Sequence, residues 1–267
     1  MPKQINVLNF DQIYRYQTFL KQKHCNWIDL QAIPRTNLFC SNITLKRIAN
    51  ILQDTLNNKI TLIGSGNYHY ISYIYLSYID HPFTLILFDH HTDTLPSPSH
   101  DLISCGSWLL TALKNFPQLN QVIIIGVHEN GKNYIPILFK DKVRLYPKTT
   151  LKDKFIPTIQ NIINNIKTKN VYISIDKDVL SKRYAITSWD QGDMSLQQLL
   201  TIVKMIMKHK QVDMIDICGE YPISPSNEFS KKVIKANNIN SYTNKLMIDS
   251  FQRWFKQFSP STSLKHA

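Results

Sequence analysis

The sequence predicts an α/β fold: a parallel sheet with helices on both faces. Three observations carry this. Short apolar β-type runs alternate with segments of helical spacing along the chain, an order that right-handed crossovers turn into a parallel sheet. The β-type runs are apolar at nearly every position, as in strands buried on both faces. Unusual polar residues gather directly after these runs, at the carboxyl strand ends where open parallel sheets collect ligands.

The β-type runs fall at residues 27–33, 60–64, 83–88, 121–127, 142–145, 170–175 and 212–217. Between them, residues 43–56 repeat Leu45, Ile48, Ile51, Leu52 and Thr55 at helical spacing. Residues 69–79 form a short aromatic helix, whose tyrosines (Tyr70, Tyr73, Tyr75, Tyr78) read as core and rim. Helices are expected at 104–113 and 151–166. Ser195 opens another, with Leu196, Leu199, Leu200, Val203 and Ile206 on its apolar face. Residues 230–258 read as one long or broken C-terminal helix. The Pro/Ser-rich pieces 95–99 and 221–226 follow strand ends, so they read as site loops and not as linkers. With no linker, residues 1–267 are expected to form a single domain, with the polar tail 259–267 frayed.

An apolar content of 43% is enough for a sizeable core. No apolar run reaches 18 residues, so no membrane span is expected, and the N-terminus lacks the long apolar stretch of a secretory signal. Cys25, Cys40, Cys105 and Cys218 are scattered without Cys-x-x-Cys spacing. That excludes a zinc-thiolate framework and fits a reducing cytoplasm. The net charge of +12 comes from lysines spread over the whole length. It reads as a solvated basic surface, with no dense basic block or motif for specific nucleic-acid binding.

Two acidic runs carry the chemistry. Asp89-His90-His91-Thr92-Asp93 follows the 83–88 run, and Ser174-Ile175-Asp176-Lys177-Asp178 closes the 170–175 run. In extended chain, residues two apart point the same way. Asp89, His91 and Asp93 can therefore converge, as can Asp176 and Asp178, while His90 faces away. So much negative charge at the mouth of a core needs a compensating cation. Carboxylates with a minority of imidazole suit manganese, iron(II) or cobalt, and four carboxylates balance two divalent ions. Two ions about 3.5–4 Å apart would bridge one water and lower its pKa from about 15.7 toward neutrality.

These motifs, with the turn Gly66-Asn67-Tyr68-His69 before them and Asp216 to Pro222 after them, resemble the arginase/agmatinase/formiminoglutamase family of ureohydrolases. The resemblance spans residues 60–222. It implies a three-layer α/β/α sandwich with a mostly parallel sheet, holding two divalent ions with manganese foremost. The implied reaction is hydrolysis of a carbon–nitrogen bond in a linear amidine, with a metal-bridging hydroxide as nucleophile. By motif, His69, Asp89, Asp93 and Asp176 would hold the first ion, and His91, Asp89, Asp176 and Asp178 the second. A small cationic guanidino or formimino compound is the implied substrate, and a homo-oligomer is consistent with the family. Glu220 is the counterpart of the family's guanidinium-holding acid, displaced by one residue. Asp178 or a loop histidine would relay the proton to the leaving amine.

The substrate-facing loops are 95–107, 128–138 and 182–194. Glu129 and Asp190 are candidate substrate contacts there, Asp190 set against a turn role, while for Glu220 the alternative is a structural salt bridge. His100 and His128 are weaker candidates, and Cys105 and Cys218 read as packing. Two further readings stand beside the binuclear hydrolase: a mononuclear zinc deacetylase-like amidohydrolase held by Asp, His and Asp, and a homologue that binds metal without turnover.

Overall fold

The computed structural model describes residues 5–258. The tail expected to fray lies outside them. In chain order the elements are β1 (Ile5–Asn9), β2 (Cys25–Asp29), β3 (Phe39–Ser41), α1 (Asn42–Leu52), β4 (Ile60–Leu62), α2 (Ile71–Ser77), β5 (Phe83–Phe88), β6 (Leu102–Ser104) and α3 (Trp108–Asn115). They continue with β7 (Leu119–Val127), β8 (Val143–Pro147), α4 (Lys148–Asp153), α5 (Phe155–Asn165), β9 (Asn170–Asp176), α6 (Leu196–His209), β10 (Gln211–Cys218) and α7 (Lys231–Phe258). Eight strands form one sheet in the order β2-β1-β4-β10-β9-β5-β7-β8. Every pairing within it is parallel.

Alternation along the strands divides the core into two layers. In β5, Ile86 and Phe88 join one apolar cluster while Leu85 and Leu87 join the other. β7 does the same with Ile123 and Ile125 against Val122 and Ile124. On one face lie Ile159 and Ile162 of α5, Leu199 and Ile206 of α6, and Phe251 of α7. On the other lie Ile48 of α1, Ile74 of α2 and Trp108 of α3. The result is the expected α/β/α sandwich.

Three features differ from the sequence reading. β1 was not anticipated, because Asn6 interrupts its apolar run; Asn6 is fully buried and donates to the Thr55 carbonyl at 3.0 Å. The helix expected at 104–113 starts at Trp108, and Ser104 instead ends β6, which pairs antiparallel with β3. The helix expected at 151–166 breaks near Lys154, since Pro157 cannot continue a helix from upstream but fits the first turn of a new one. The Ser195 expectation holds: its side chain accepts from Gln198 N, and the Gln198 side chain accepts from Ser195 N.

Candidate metal centre

The acidic and histidine-bearing strand ends belong to β4, β10, β9, β5 and β7, which are five neighbours in the sheet. Parallel register sets their height. Phe88 of β5 pairs with Ile175 of β9, so Asp89 and Asp176 emerge side by side, and Cys218 of β10 pairs with Asp176.

His69 follows β4 on a turn and is buried. Its Nδ1 stands 3.0 Å from Asp93 Oδ2, 3.4 Å from Asp89 Oδ2 and 3.6 Å from Asp176 Oδ2. On its far side, Nε2 meets Ser174 Oγ at 2.9 Å, and Ser174 donates to Asp216 Oδ1 at 2.7 Å. This relay orients the ring so that Nδ1 faces the carboxylates. Asp93 also accepts from Trp108 Nε1 at 2.6 Å, and Cys218 Sγ lies 3.2 Å from Asp176 Oδ2.

The second group centres on His91. Its Nδ1 is 2.8 Å from Asp178 Oδ2 and 3.5 Å from Asp89 Oδ1. Asp89 thus turns one oxygen to each imidazole. The convergence does not come from strand alternation alone, because the chain leaves β5 before Asp89 and leaves β9 after Asp176. The His91 N–H donates to Asp89 Oδ1 at 2.6 Å and the Asp178 N–H to Asp176 Oδ1 at 2.9 Å. These tight turns, with Asp93 at φ 51°, bring the carboxylates inward. Glycine permits the approach at two positions. A Cβ on Gly66 would lie 3.0 Å from Asp176 Oδ2, and one on Gly219 (φ +88°) would lie 2.5 Å from Asp176 Oδ1.

The electrostatics match a cation site. Burial, with the charges of Asp178 and Asp93, pushes the Asp89 carboxyl well above its usual range. Burial and Asp178 raise Asp176 to about 6. Burial alone would push both imidazoles down, yet the carboxylates outweigh it and hold His69 up to about 10 and His91 to about 12. No lysine or arginine ion-pairs with these carboxylates among the described residues. Three sets of residues here have ligand atoms close enough to hold an ion: His69, Asp176 and Cys218; His69, Asp89 and Asp93; and Asp89, His91 and Asp178. The donor set of oxygen and imidazole suits a divalent metal.

A cavity of about 630 Å³ opens onto this cage, lined also by Asp190 and Trp189. The other expected contacts fall elsewhere. Glu220 is buried beside Lys177 Nζ, to which it is ion-paired, and also accepts from Asn244 Nδ2 at 2.6 Å; it does not line the cavity. Its displacement by one residue turns it toward α7, so the salt-bridge alternative describes it. Glu129 is exposed, accepts from Thr149 N at 3.1 Å and is absent from the cavity wall. Asp178 has Oδ2 at 2.8 Å from His91 Nδ1, and its Oδ1 accepts from His90 N at 3.0 Å. His90, expected to face away, lines the cavity, and its Nδ1 is buried without a partner. His128 lines it too, while His100 is exposed. Cys105 lines the cavity and Cys218 packs against Asp176. Sequence reasoning missed Lys177, Trp108, Leu38 and Phe39. An isolated lysine between two aspartates hints at a buried partner, but nothing local places Leu38 and Phe39 at the cavity, since the β3–β6 pairing does so.

Fold and site together define an α/β protein with an acid-rich ligand cage on the carboxyl edge of a parallel sheet. The chain belongs to the arginase family, whose model matches residues 2–238. An uncharacterized protein of Thermotoga maritima is 30% identical over 220 residues, covering 82% of this chain and 81% of its own. Among solved structures, a hypothetical agmatinase from Burkholderia thailandensis superposes with a TM-score of 0.65 at 16% identity, over 93% of this chain and 86% of that one. Formimidoylglutamase from Bacillus subtilis gives 0.64 at 17%, over 92% and 86%. Arginase from Bacillus caldovelox gives 0.61 at 13%, over 91% and 97%. At these identities the structural likeness is one of fold.

Proposed function

We propose that the protein is a binuclear metal-dependent hydrolase that cleaves a carbon–nitrogen bond in a linear amidine, a guanidino or formimino compound. The observation that carries this reading is Asp89, whose two oxygens face two different imidazoles at 3.4 and 3.5 Å. A single-ion site needs no such shared carboxylate, so this geometry favours two ions over the mononuclear zinc reading. His69, Asp89, Asp93 and Asp176 would hold one ion, and His91, Asp89, Asp176 and Asp178 the other. Manganese is the expected metal, given the excess of carboxylate over imidazole. When bound, such a pair supplies a water of lowered pKa and polarises the trigonal carbon under attack.

The chain's own residues do the rest. Ser174 and Asp216 keep the His69 ring fixed. The backbone N–H of His90 holds Asp178 in place. The cavity walls seat the substrate, with Asp190 the acid among them outside the cage.

The withdrawal of Glu220 into its pair with Lys177 favours a second reading, a cage retained without turnover. One experiment separates the readings. Protein loaded with manganese, iron(II), cobalt or zinc is assayed for urea or formamide release across a guanidino and formimino panel, with metal content measured alongside. Two ions per chain, and turnover abolished in Asp176→Asn, are expected. One zinc per chain, or unchanged activity in Asp176→Asn, would overturn the proposal. Two ions with no turnover would leave the non-catalytic reading.

A further inference from the structure

The cavity in front of the cage is poor in charge and rich in apolar surface. Among the described residues, no lysine or arginine lines it. Among the described residues, Asp190 is its one carboxylate outside the cage. With the four cage carboxylates balanced by two divalent ions, a ligand entering this space meets no protein cation from lysine or arginine and one added negative charge.

The walls are the second observation. Leu38, Phe39, Leu95, Val127, Tyr134 and Trp189 all line the cavity. Four of these are large apolar side chains left substantially in water: Phe39 at 44%, Leu95 at 50%, Tyr134 at 54% and Trp189 at 41% exposed. They come from separate parts of the chain: the β3 strand, the loop after β5, the segment after β7 and the loop after β9. Tertiary structure therefore collects an apolar rim that is continuous with the metal cage. Trp189 is held there along one edge of its indole. Its Nε1 donates to Asn67 Oδ1 at 3.1 Å, and its edge packs against the bare Cα of Gly66.

Resting on the amidine hydrolase reading, we propose that this cavity selects substrates whose body beyond the amidine is apolar, an alkyl or aryl chain, and that it rejects a substrate ending in a carboxylate. An apolar body covers the four half-exposed side chains, which removes apolar surface from water. A terminal carboxylate loses its hydration, finds no cationic partner and is repelled by Asp190.

The test uses the full-length, manganese-loaded protein and two matched guanidines, 4-phenylbutylguanidine and 4-guanidinobutyrate. The expected kcat/KM for the phenyl compound is higher by on the order of 100-fold, the scale of discrimination by apolar pockets. Equal or better use of the carboxylate compound overturns the inference and leaves the hydrolase reading standing. If neither compound turns over, the hydrolase reading is decided by the wider guanidino and formimino panel, and calorimetric binding of the same pair decides the inference. Binding of the phenyl compound at least about tenfold tighter supports it, and anything less overturns it. Leu95→Lys, a change at a half-exposed side chain, places a cation on the rim. It is expected to reduce the preference for the phenyl compound at least about tenfold, and an unaltered preference overturns the inference.

Discussion

Buried charges at this site are held by named partners, and each pairing predicts what its removal does. Glu220 and Lys177 are both buried, and Asn244 touches both. Breaking such a pair leaves an uncompensated charge in the core. Glu220→Gln is therefore expected to cost about 3–5 kcal/mol in chemical denaturation, while KM for any substrate stays unchanged because Glu220 does not line the cavity. A large rise in KM without loss of stability would return Glu220 to the substrate. Ser174 acts through His69: it bonds Nε2 and is itself held by Asp216. Ser174→Ala is expected to weaken manganese binding about 10–100-fold, the usual cost of losing a partner that orients a metal-binding histidine. Isothermal titration with manganese checks this.

At the scale of elements, α7 reaches from the sheet to the loop that carries Trp189 and Asp190. Its buried Asn240 accepts from Ile186 N at 2.9 Å and donates to Ile186 O at 2.9 Å, and Thr243 donates to the Tyr184 carbonyl. These bonds satisfy a loop that has no sheet partner of its own beyond the Leu180–Met194 bridge. Asn240→Ala is expected to raise KM several-fold while the metal content stays at its parent value, since every cage residue lies on other elements. Equal loss of metal and activity would mean that the loop also shapes the cage. The Ser195 capping box sets where α6 begins, and Ser195→Ala is expected to cost about 1 kcal/mol of stability, measured by denaturant titration.

For the molecule as a whole, stability is expected to depend on metal and on pH. The cage brings mutually repelling carboxylates into a desolvated cluster, so ions that bind only the folded state stabilise it. At 100 times the dissociation constant the gain is about 2.7 kcal/mol. Chelation should lower Tm accordingly, and a Tm indifferent to chelator would contradict the cage. Asp11, outside the cage, supplies a separate pH term. Burial, and after it the nearby charge of Glu220, raises its carboxyl from 3.8 to about 6, against a backbone hydrogen bond at Ile13. The folded state thus holds this proton more tightly than the unfolded chain does. The sign follows: folding loses stability as pH rises from about 4 to about 6, by up to about 3 kcal/mol, and stays at the lower level above that. Asp11→Asn is expected to stabilise the protein at pH 8 by more than at pH 5, by about 1 kcal/mol in paired denaturant curves. A difference that does not vary with pH would assign the titration elsewhere.

Much was legible in the sequence because two periodicities are local. All-apolar strands and helical stripes announced the sandwich, and acids directly after buried strands announced a cation site, since neither packing nor hydration explains them. His69, Asp89, His91, Asp93, Asp176 and Asp178 could be named from spacing and resemblance, because the chain positions that follow a strand end are fixed by the strand. What only tertiary structure decided is which strand ends are neighbours, which way a residue turns once the strand has ended, and what walls the cavity. Asp89 stands level with Asp176 because β5 and β9 are in register. Glu220 leaves the site because Lys177 and α7 lie behind it. Leu38 and Phe39 meet Leu95 and Trp189 through contacts between residues far apart in sequence. A chain's local pattern dictates where each side chain starts, but long-range packing, the sum of many weak contacts, decides what it faces.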